Sequence, residues 1–513
     1  MTRPTVAQAR AWRPAALRHL ADSWDVAART VHARISEAGS DSQPRGWSGS
    51  AADAASERMR TIVCDADAVA RALVTAAVAA RDGCDRIATA QADVLARVAN
   101  ALAEGFGVAD DGSVAPIAGD YGVRAATLTR EIGDALDSLG EADAGTAGDI
   151  DGPLASWTSP IHSADVVAGW PTMTGDQIAR QIAAMTPAQR AQLIDEAPAI
   201  VGNTDGVPWD MRVEANRANI AQAILDEAGT DPNAEQRIAF YHDLLGEVDD
   251  PATGRLVDRR ILAFDPARST LVEFNGNLDA AKSVAVLVPG MNTTIEGSAA
   301  NTETARRFVS ATHGEVAAIT YLGGPFPQGG NLVASLAEAS DTHFALDMAP
   351  RLAAFSADVD RTVDATGRQV AVTYVGHSYG GSILGTAEAL GLTADRTLYL
   401  AAAGAGVGVD DPGDWHNRNP DVLRFSMTAP GDAIQLVQGL PGGPHGADPD
   451  EMPGVIHLAT GHYDDGRPMA GPRAHTDVID CPASDSWRTI LAVITGDRGH
   501  IQVARSPSST NPR

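Results

Sequence analysis

The 513-residue sequence contains few lysine, cysteine and aromatic residues. Lys282 is the single lysine, so arginine supplies nearly all of the 39 basic residues. Against 66 acidic residues they leave a net charge of −27, and so acidic a chain repels phosphate backbones, which argues against nucleic-acid binding. No apolar run approaches the roughly 20 residues that span a bilayer, so we expect no transmembrane segment.

The three cysteines, Cys64, Cys84 and Cys481, form no metal-binding spacing and are too few for a disulfide framework. We expect them to be buried small residues. The segment 1–8 leads into no apolar core and no cleavage site, so we expect no cleavable signal peptide. We therefore expect the protein to be cytoplasmic, or to be exported by a non-classical route.

Residues 1–105 have a helical periodicity that is broken once. Apolar residues recur at steps of three and four from Trp12 to Ile35, and again from Met59 to Ala77. The pattern predicts two long amphipathic helices that fold back as a hairpin. A hairpin cannot bury both of its faces alone, so we expect it to pack on a protein partner or on the rest of the chain.

The sequence Trp47-Ser48-Gly49 stands between the two predicted helices. In this position it resembles the turn of the WXG-type helical hairpins found in type VII secretion substrates. The resemblance implies a protein partner and a type VII-like export route; the alternative is a tryptophan that anchors an ordinary helix corner. The Tyr-x-x-x-Asp/Glu export signal that those families often carry is absent, because Ala125 stands four residues after Tyr121.

The rest of the chain divides into three stretches. Residues 106–184 are acidic and rich in Gly and Ala, which predicts a linker with short helices, one of them near 123–139. Residues 185–500 begin with a helical lead-in, since Thr186-Pro187 is typical of a helix start. Residues 501–513 are expected to be a disordered tail.

Strands and helices alternate from about residue 258. A hairpin is predicted at 260–266 and 270–274, and six short apolar runs follow: Val284–Val288, Val316–Tyr321, Val370–Val375, Thr397–Ala402, Val422–Met427 and Val455–Ala459. Unbroken Val/Leu/Ala runs suit strands that are buried on both faces. With helical patterns between them, they predict an α/β fold with a mostly parallel sheet.

The strongest chemical motif is Gly376-His377-Ser378-Tyr379-Gly380, which lies directly between a predicted strand and a predicted helix. This context is the one in which G-x-S-x-G forms a nucleophile elbow. The turn forces Ser378 into a strained conformation that exposes its hydroxyl, and glycines two residues away avoid clashes. We therefore predict that Ser378 is a nucleophile.

A serine nucleophile needs a base and an acid, which in this type of fold follow in the order Ser, Asp or Glu, His. Asp432 stands in a Pro-Gly turn just after the strand that ends at Met427, and is the predicted acid. Asp410 and Asp411 are the alternatives, because they follow the strand that ends near Ala402.

Five downstream histidines compete for the role of the base. His475 follows the last predicted strand and precedes the final helix, 487–495, which is where the base is expected. His462 is the next candidate. His457 lies inside a strand pattern, which favours a packing role, and His445 and His462 lie in Gly-rich or acidic loops. His500 is the fifth candidate.

Two backbone N–H groups are needed to bind the oxyanion of an acyl-transfer reaction. Tyr379 follows the nucleophile and supplies one of them. The second is expected after the strand Val284–Val288, where Pro289 and Gly290 turn the chain sharply and present the amide of Met291, with Asn292 as the alternative.

Taken together, these motifs resemble an actinobacterial family of α/β-hydrolases whose function is unassigned. The resemblance covers roughly residues 185–497 and rests on four stretches in order: 288–290 with the following Thr, 376–380, 429–432 and 474–477. The lead-in 201–208 and 215–217 is also similar. It implies an α/β-hydrolase fold and a Ser378–His475–Asp432 triad; Val478 departs from the family pattern, where an aromatic residue is expected.

The sequence thus predicts a serine hydrolase that cleaves an ester, with amide, thioester or acyl-transfer chemistry left open. Its partner is a small acyl substrate, and no metal or organic cofactor is required. We expect 404–419 to form a cap and 321–326 to line the pocket. The alternative is an interaction protein that binds a partner through its helical hairpin and uses the hydrolase fold as a scaffold.

Overall fold

A computed structural model describes residues 3–41, 49–117, 122–152, 163–227, 233–329, 340–438 and 443–504. The chain divides into two compact units, one formed by 1–161 with 220–247 and the other by 162–219 with 248–513. None of the helices in these described ranges is both long and apolar enough to cross a membrane.

The first unit is built from long helices. They are α1 (Val6–Ala11), α2 (Ala15–Asp41), α3 (Ser50–Ala103) and α4 (Gly122–Asp151), with the short hairpin β1 (Phe106–Val108) and β2 (Val114–Pro116) between α3 and α4. The predicted helices of residues 1–105 are therefore present. Trp47 and Ser48, on which the resemblance to WXG-type hairpins rests, lie outside the described residues.

Helix α4 contains the helix predicted near 123–139 but continues through residues that the sequence predicted as linker. It runs without a break for 30 residues and buries an apolar face that includes Leu128, Ile132, Leu136 and Leu139. These side chains join a core with residues of α1 and α3. The Gly and Ala content suggested a linker, but alanine is the strongest helix former, and an apolar stripe at steps of three and four supplies the packing energy.

A series of shorter helices follows. They are α5 (Ser163–Ala168), α6 (Gly175–Ala183), α7 (Pro187–Glu196), α8 (Pro198–Val201), α9 (Trp209–Asp226) and α10 (Ala234–Leu245). The predicted helix start at Thr186 is confirmed, because the Thr186 side chain and Gln189 form a reciprocal capping box. Residues 220–226 of α9 and helix α10 belong to the first unit.

The second unit contains an eight-stranded sheet in the order β12-β11-β10-β9-β7-β8-β6-β5. Its strands are β5 (Arg260–Asp265), β6 (Thr270–Asn275), β7 (Ser283–Val288), β8 (Val316–Gly323), β9 (Ala371–His377), β10 (Arg396–Leu400), β11 (Leu423–Met427) and β12 (Val455–His457). The six strands from β12 to β8 are parallel, and β6 and β5 form the predicted antiparallel hairpin at one end. The mostly parallel α/β sheet is confirmed.

Further helices of this unit follow the strands of the sheet along the chain. They are α11 (Ala299–Ala311), α12 (His343–Asp364), α13 (Tyr379–Ala389), α14 (Ala474–Asp480) and α15 (Asp485–Thr495). A separate ribbon, β3 (Glu247–Asp249) and β4 (Leu256–Asp258), precedes the sheet. Strands β7 and β8 are buried along their whole length, which explains why their sequences are unbroken apolar runs.

Side chains of the helical lead-in cover the outer edge of β5. Asn203 accepts a hydrogen bond from the Phe264 amide at 2.9 Å and donates one to the Phe264 carbonyl at 3.0 Å. Arg212 and Asn216 donate to further carbonyls of β5, at 2.7 Å and 3.1 Å. An exposed sheet edge can pair with strands of other chains. These side chains occupy hydrogen-bonding groups of β5 that a ninth strand would otherwise bind.

Two smaller expectations were wrong in part. Cys84 is buried and Cys481 is half-buried, but Cys64 is exposed, because it lies on a solvent-facing side of α3. Of the predicted tail, 502–504 are attached to the sheet edge: the Ala459 amide donates to Gln502, and the Ala504 amide donates to His457. Residues 505–513 lie outside the described residues.

Candidate active site

Ser378 stands at a sharp turn between β9 and α13. Its φ of 56° is in the left-handed region, which a residue with a side chain rarely adopts. A Cβ on Gly376 would lie 2.6 Å from the Gly380 carbonyl oxygen, and a Cβ on Gly380 would lie 2.2 Å from the Val288 oxygen. Both glycines of the motif are therefore required by close backbone contacts, as expected for a nucleophile elbow.

The three residues predicted as a triad lie in hydrogen-bond contact. The Ser378 Oγ lies 3.0 Å from His475 Nε2, and His475 Nδ1 lies 2.9 Å from Asp432 Oδ2 and 3.1 Å from Oδ1. Asp432 and Ser378 are buried, whereas the His475 side chain is 27% exposed. A buried carboxylate next to a partly exposed imidazole can hold one tautomer while the far nitrogen exchanges protons at the serine.

Asp432 is held by the turn that follows β11. Its Oδ1 accepts a hydrogen bond from the Ile434 amide at 3.0 Å, which caps a single 3₁₀ turn at 433–436. The alternatives Asp410 and Asp411 are exposed, and both of their amides donate to the Asp414 carboxylate in a local turn. In the structure Asp432 contacts His475, whereas neither Asp410 nor Asp411 forms a hydrogen bond with a histidine of the described ranges.

His475 lies in the first turn of α14, although the composition of 471–477 favours a loop. Among the other candidates, His445 is buried and bonds the Ser382 hydroxyl at 2.7 Å. His457 lies 3.0 Å from Asp450, and this hydrogen bond raises the pKa of His457. His462 and His500 are exposed beside other aspartates, so neither is in contact with Ser378.

The loop after β7 lies directly against the elbow. A Cβ on Gly290, the residue before Met291, would lie 2.8 Å from Ser378 Cβ and 3.2 Å from Ser378 Oγ, so the backbone of this loop at Gly290 lies close to the hydroxyl. Neither Met291 nor Tyr379 donates its amide to an acceptor among the described residues. The alternative Asn292 is committed elsewhere, because its amide donates to the Pro327 carbonyl at 2.8 Å.

The side chain of Tyr379 forms part of the packing around the elbow. It is buried, and its hydroxyl donates to the Asp341 carbonyl. Its ring meets Phe344 and His445 edge to face, at centroid distances of 6.3 Å and 5.2 Å. Burial raises the pKa of Tyr379 well above its ordinary value, so the hydroxyl stays protonated.

His377 contacts His475 and was not singled out from the sequence. Its Nε2 lies 2.7 Å from the His475 carbonyl oxygen, and the two imidazole rings are 5.1 Å apart. Burial, and then the proximity of His475, lower the pKa of His377 to about 4. The motif gave no signal of this contact, because the residue before the serine is one of its variable positions.

Two expectations about the surroundings of the site have different outcomes. The stretch 404–419 contacts the C-terminal half of α13: the Val407 amide donates to Thr386, and the His416 amide donates to Glu388. It is packing rather than a cap over Ser378, because Glu388 lies about 15 Å along the helix at 1.5 Å per residue. That 321–326 lines the pocket stays a prediction; the residue after this stretch, Pro327, accepts the hydrogen bond from the Asn292 amide described above.

The described residues contain no cluster of three or more His, Cys, Asp or Glu side chains arranged to hold a metal ion.

One of the comparisons with known proteins, the match to a protein family, supports the fold. Residues 265–441 match the protein family described as alpha/beta hydrolase, a range that contains Ser378 and Asp432 and ends before His475. A solved structure, TT1662 from Thermus thermophilus, is 13% identical and covers 40% of this chain and 90% of its own, with a TM-score of 0.23. No curated protein matches the chain. The chain therefore contains an α/β-hydrolase fold, and its similarity to that family supports a hydrolase.

Proposed function

We propose that the protein is a serine hydrolase that cleaves a carboxylic ester through an acyl-enzyme. Ser378 is the nucleophile, His475 is the general base and acid, and Asp432 holds the His475 tautomer. The amides of Met291 and Tyr379 bind the oxyanion. The observation that carries the proposal is the position of His475, which contacts the Ser378 hydroxyl with one ring nitrogen and the Asp432 carboxylate with the other.

The reaction has two half-reactions. The Ser378 oxygen attacks the acyl carbonyl while its proton passes to His475 Nε2. The tetrahedral intermediate then collapses, the ester C–O bond breaks, and the alcohol leaves with the proton from His475. A water molecule next gives a proton to His475 and attacks the acyl-enzyme, which releases the acid and restores the Ser378 hydroxyl.

The electrostatics of the elbow support this chemistry. The amide of Tyr379 is the first of helix α13 and has no intrahelical acceptor, so it carries part of the positive end of the helix dipole. The Met291 amide comes from a separate element, the loop after β7. Two donors fixed on different elements need no reorganisation when negative charge develops on the substrate oxygen.

Ester cleavage is the main proposal, because an alcohol is an easier leaving group than an amine. Thioester and amide substrates share the same triad. So does acyl transfer, in which an alcohol replaces water in the second half-reaction.

The proposal is tested by labelling the purified protein with a fluorophosphonate probe, alongside Ser378→Ala and Ser382→Ala. Ser382 is a matched control, since it lies on the same helix, one turn after the elbow, and bonds a different histidine. We expect labelling in the wild type and in Ser382→Ala, and none in Ser378→Ala. A folded wild-type protein that takes up no probe would refute the working triad.

The interaction role remains the second candidate. It is favoured by the apolar side chains that the long N-terminal helices leave exposed, among them Leu20 (42%), Val26 (56%) and Ile62 (40%). A protein that folds but takes up no probe would support a scaffold role for the hydrolase fold. The partner of these helices, and the export that the WXG-type resemblance implies, stay predictions.

A further inference from the structure

The contact between His377 and the backbone of His475 joins the two halves of the site. His377 is the last residue of β9 and directly precedes Ser378, whereas His475 lies 98 positions away, in the first turn of α14. The donor–acceptor distance of 2.7 Å is short for an N–H···O hydrogen bond. The hydrogen bond therefore connects the nucleophile's strand to the helix that carries the base.

The direction of this hydrogen bond is fixed by chemistry. A backbone carbonyl can only accept, so His377 Nε2 must carry the proton. The pKa of His377 is lowered to about 4, so near neutral pH the ring is uncharged and Nε2–H is its single donor. An uncharged donor holds the carbonyl without placing a second positive charge beside the imidazolium that His475 becomes during the reaction.

The other contacts of His475 hold its side chain more firmly than its backbone. Asp432 fixes the tautomer and the ring orientation through Nδ1, but it acts on the side chain only. The backbone amide of His475 has a weak contact, 3.4 Å to the Pro472 carbonyl. The carbonyl bonded to His377 is thus the main-chain anchor of His475 to the elbow.

We propose that His377 is a positioning residue, which holds the backbone of His475 at the distance from Ser378 that proton transfer requires. The inference rests on the proposed function. A displacement of the base by about 1 Å can cost on the order of 100-fold in rate. Substitution of His377 should slow the chemical step, because in this proposal His377 acts through His475 and not through substrate binding.

The test compares three substitutions of similar polarity or size. His377→Gln places an amide nitrogen about where Nε2 lies and keeps the donor. His377→Asn is one methylene shorter and cannot reach the His475 carbonyl, and His377→Leu has no donor. The readouts are the fluorophosphonate labelling rate and the kcat and KM for a p-nitrophenyl ester.

We expect kcat and the labelling rate to fall roughly 10- to 100-fold in His377→Asn and His377→Leu, with KM changed by less than about threefold. We expect His377→Gln to stay within about threefold of the wild type. If His377→Leu fails to fold, the comparison of Gln with Asn still isolates the donor. A merely structural role would lower thermal stability in all three variants without separating kcat from KM.

Two results would overturn the inference: wild-type labelling in folded His377→Asn, or a His377→Gln variant as slow as His377→Asn. Both require a wild-type protein that reacts with the probe. A wild type that does not react would instead refute the proposed function, so the two failures are distinguishable.

Discussion

At the scale of single residues, the candidate site depends on side chains whose position and hydrogen bonds are fixed by neighbouring residues. Ser378 and Asp432 could be predicted because each stands in a turn with a fixed relation to a strand. His475 was chosen by its place in the chain order alone. His377 escaped prediction because its role depends on a contact with a residue 98 positions away, which no local pattern encodes.

The first residue-scale prediction concerns Asp432. Asp432→Asn keeps the size of the side chain but offers an amide to His475 Nδ1, so the imidazole no longer presents a free Nε2 to Ser378. We expect kcat to fall roughly 10³- to 10⁴-fold with little change in KM. Ester hydrolysis at saturating substrate measures it, with Asp411→Asn as the control that should keep wild-type activity.

The second concerns Asp448, whose Oδ1 accepts hydrogen bonds from the Asp450 amide and from Gln438, each at 2.8 Å. Burial, with the nearby charges of Asp450 and Glu451, raises the pKa of Asp448 from 3.8 to about 6. The folded protein therefore binds a proton that the unfolded chain has released between these two values. Stability from this group is present at low pH and is lost as the pH rises through 6.

Asp448→Asn stays neutral at every pH and keeps the oxygen acceptor. We expect the variant to gain melting temperature relative to the wild type as the pH rises from 4 to 7, with no further gain above pH 7. Thermal unfolding at pH 4, 5.5, 7 and 8 measures the difference. A difference that is constant across this range would contradict the raised pKa.

At the scale of helices and strands, prediction succeeded where an element is buried on both faces and failed where composition misled. Strands β7 and β8 could be predicted from their unbroken apolar sequences, because every residue in them is buried. The part of helix α4 after residue 139 was taken for a linker on its Gly and Ala content. What its composition could not show is that α3 offers small residues against which α4 packs closely.

Gly83 in α3 is the clearest of these small residues. A Cβ at Gly83 would lie 2.1 Å from Cγ2 of Thr146, a buried residue of α4, whereas a Cβ at Gly148 would have no atom within 4 Å. Gly83→Ala should destabilise the protein, since overpacking costs about 1–3 kcal/mol and outweighs the gain in helix propensity. Gly148→Ala should be neutral or should stabilise by up to about 1 kcal/mol.

Thermal or urea unfolding of the two alanine variants measures this contrast. Both are the same substitution inside a helix, so they differ only in what the new methyl group meets. Equal effects at the two positions would mean that α3 and α4 are not in close contact at Thr146.

At the scale of the whole molecule, the dominant property is charge. A net charge of −27 makes the folded chain repel itself, because compaction brings like charges together. Salt screens this repulsion, with a Debye length of about 30 Å at 0.01 M and about 3 Å at 1 M. We expect the melting temperature at pH 7.5 to rise between 10 mM and 500 mM NaCl.

Sodium chloride is the right salt for this measurement, because sulfate would also strengthen apolar burial. A melting temperature that falls with NaCl would show that specific ion pairs, such as the buried Arg212–Asp358 contact at 3.1 Å, outweigh the general repulsion.

The covered edge of β5 also limits how the protein can be divided. The segment that resembles known hydrolases, 265–441, is shorter than the part that builds the site. Excised on its own, it would keep Ser378 and Asp432 but lose His475. Without Asn203, Arg212 and nearly all of β5, the next strand inward would be bare and prone to adhere to other molecules. The segment that matches the family, 265–441, is therefore not a part of the chain that could exist as an independent protein.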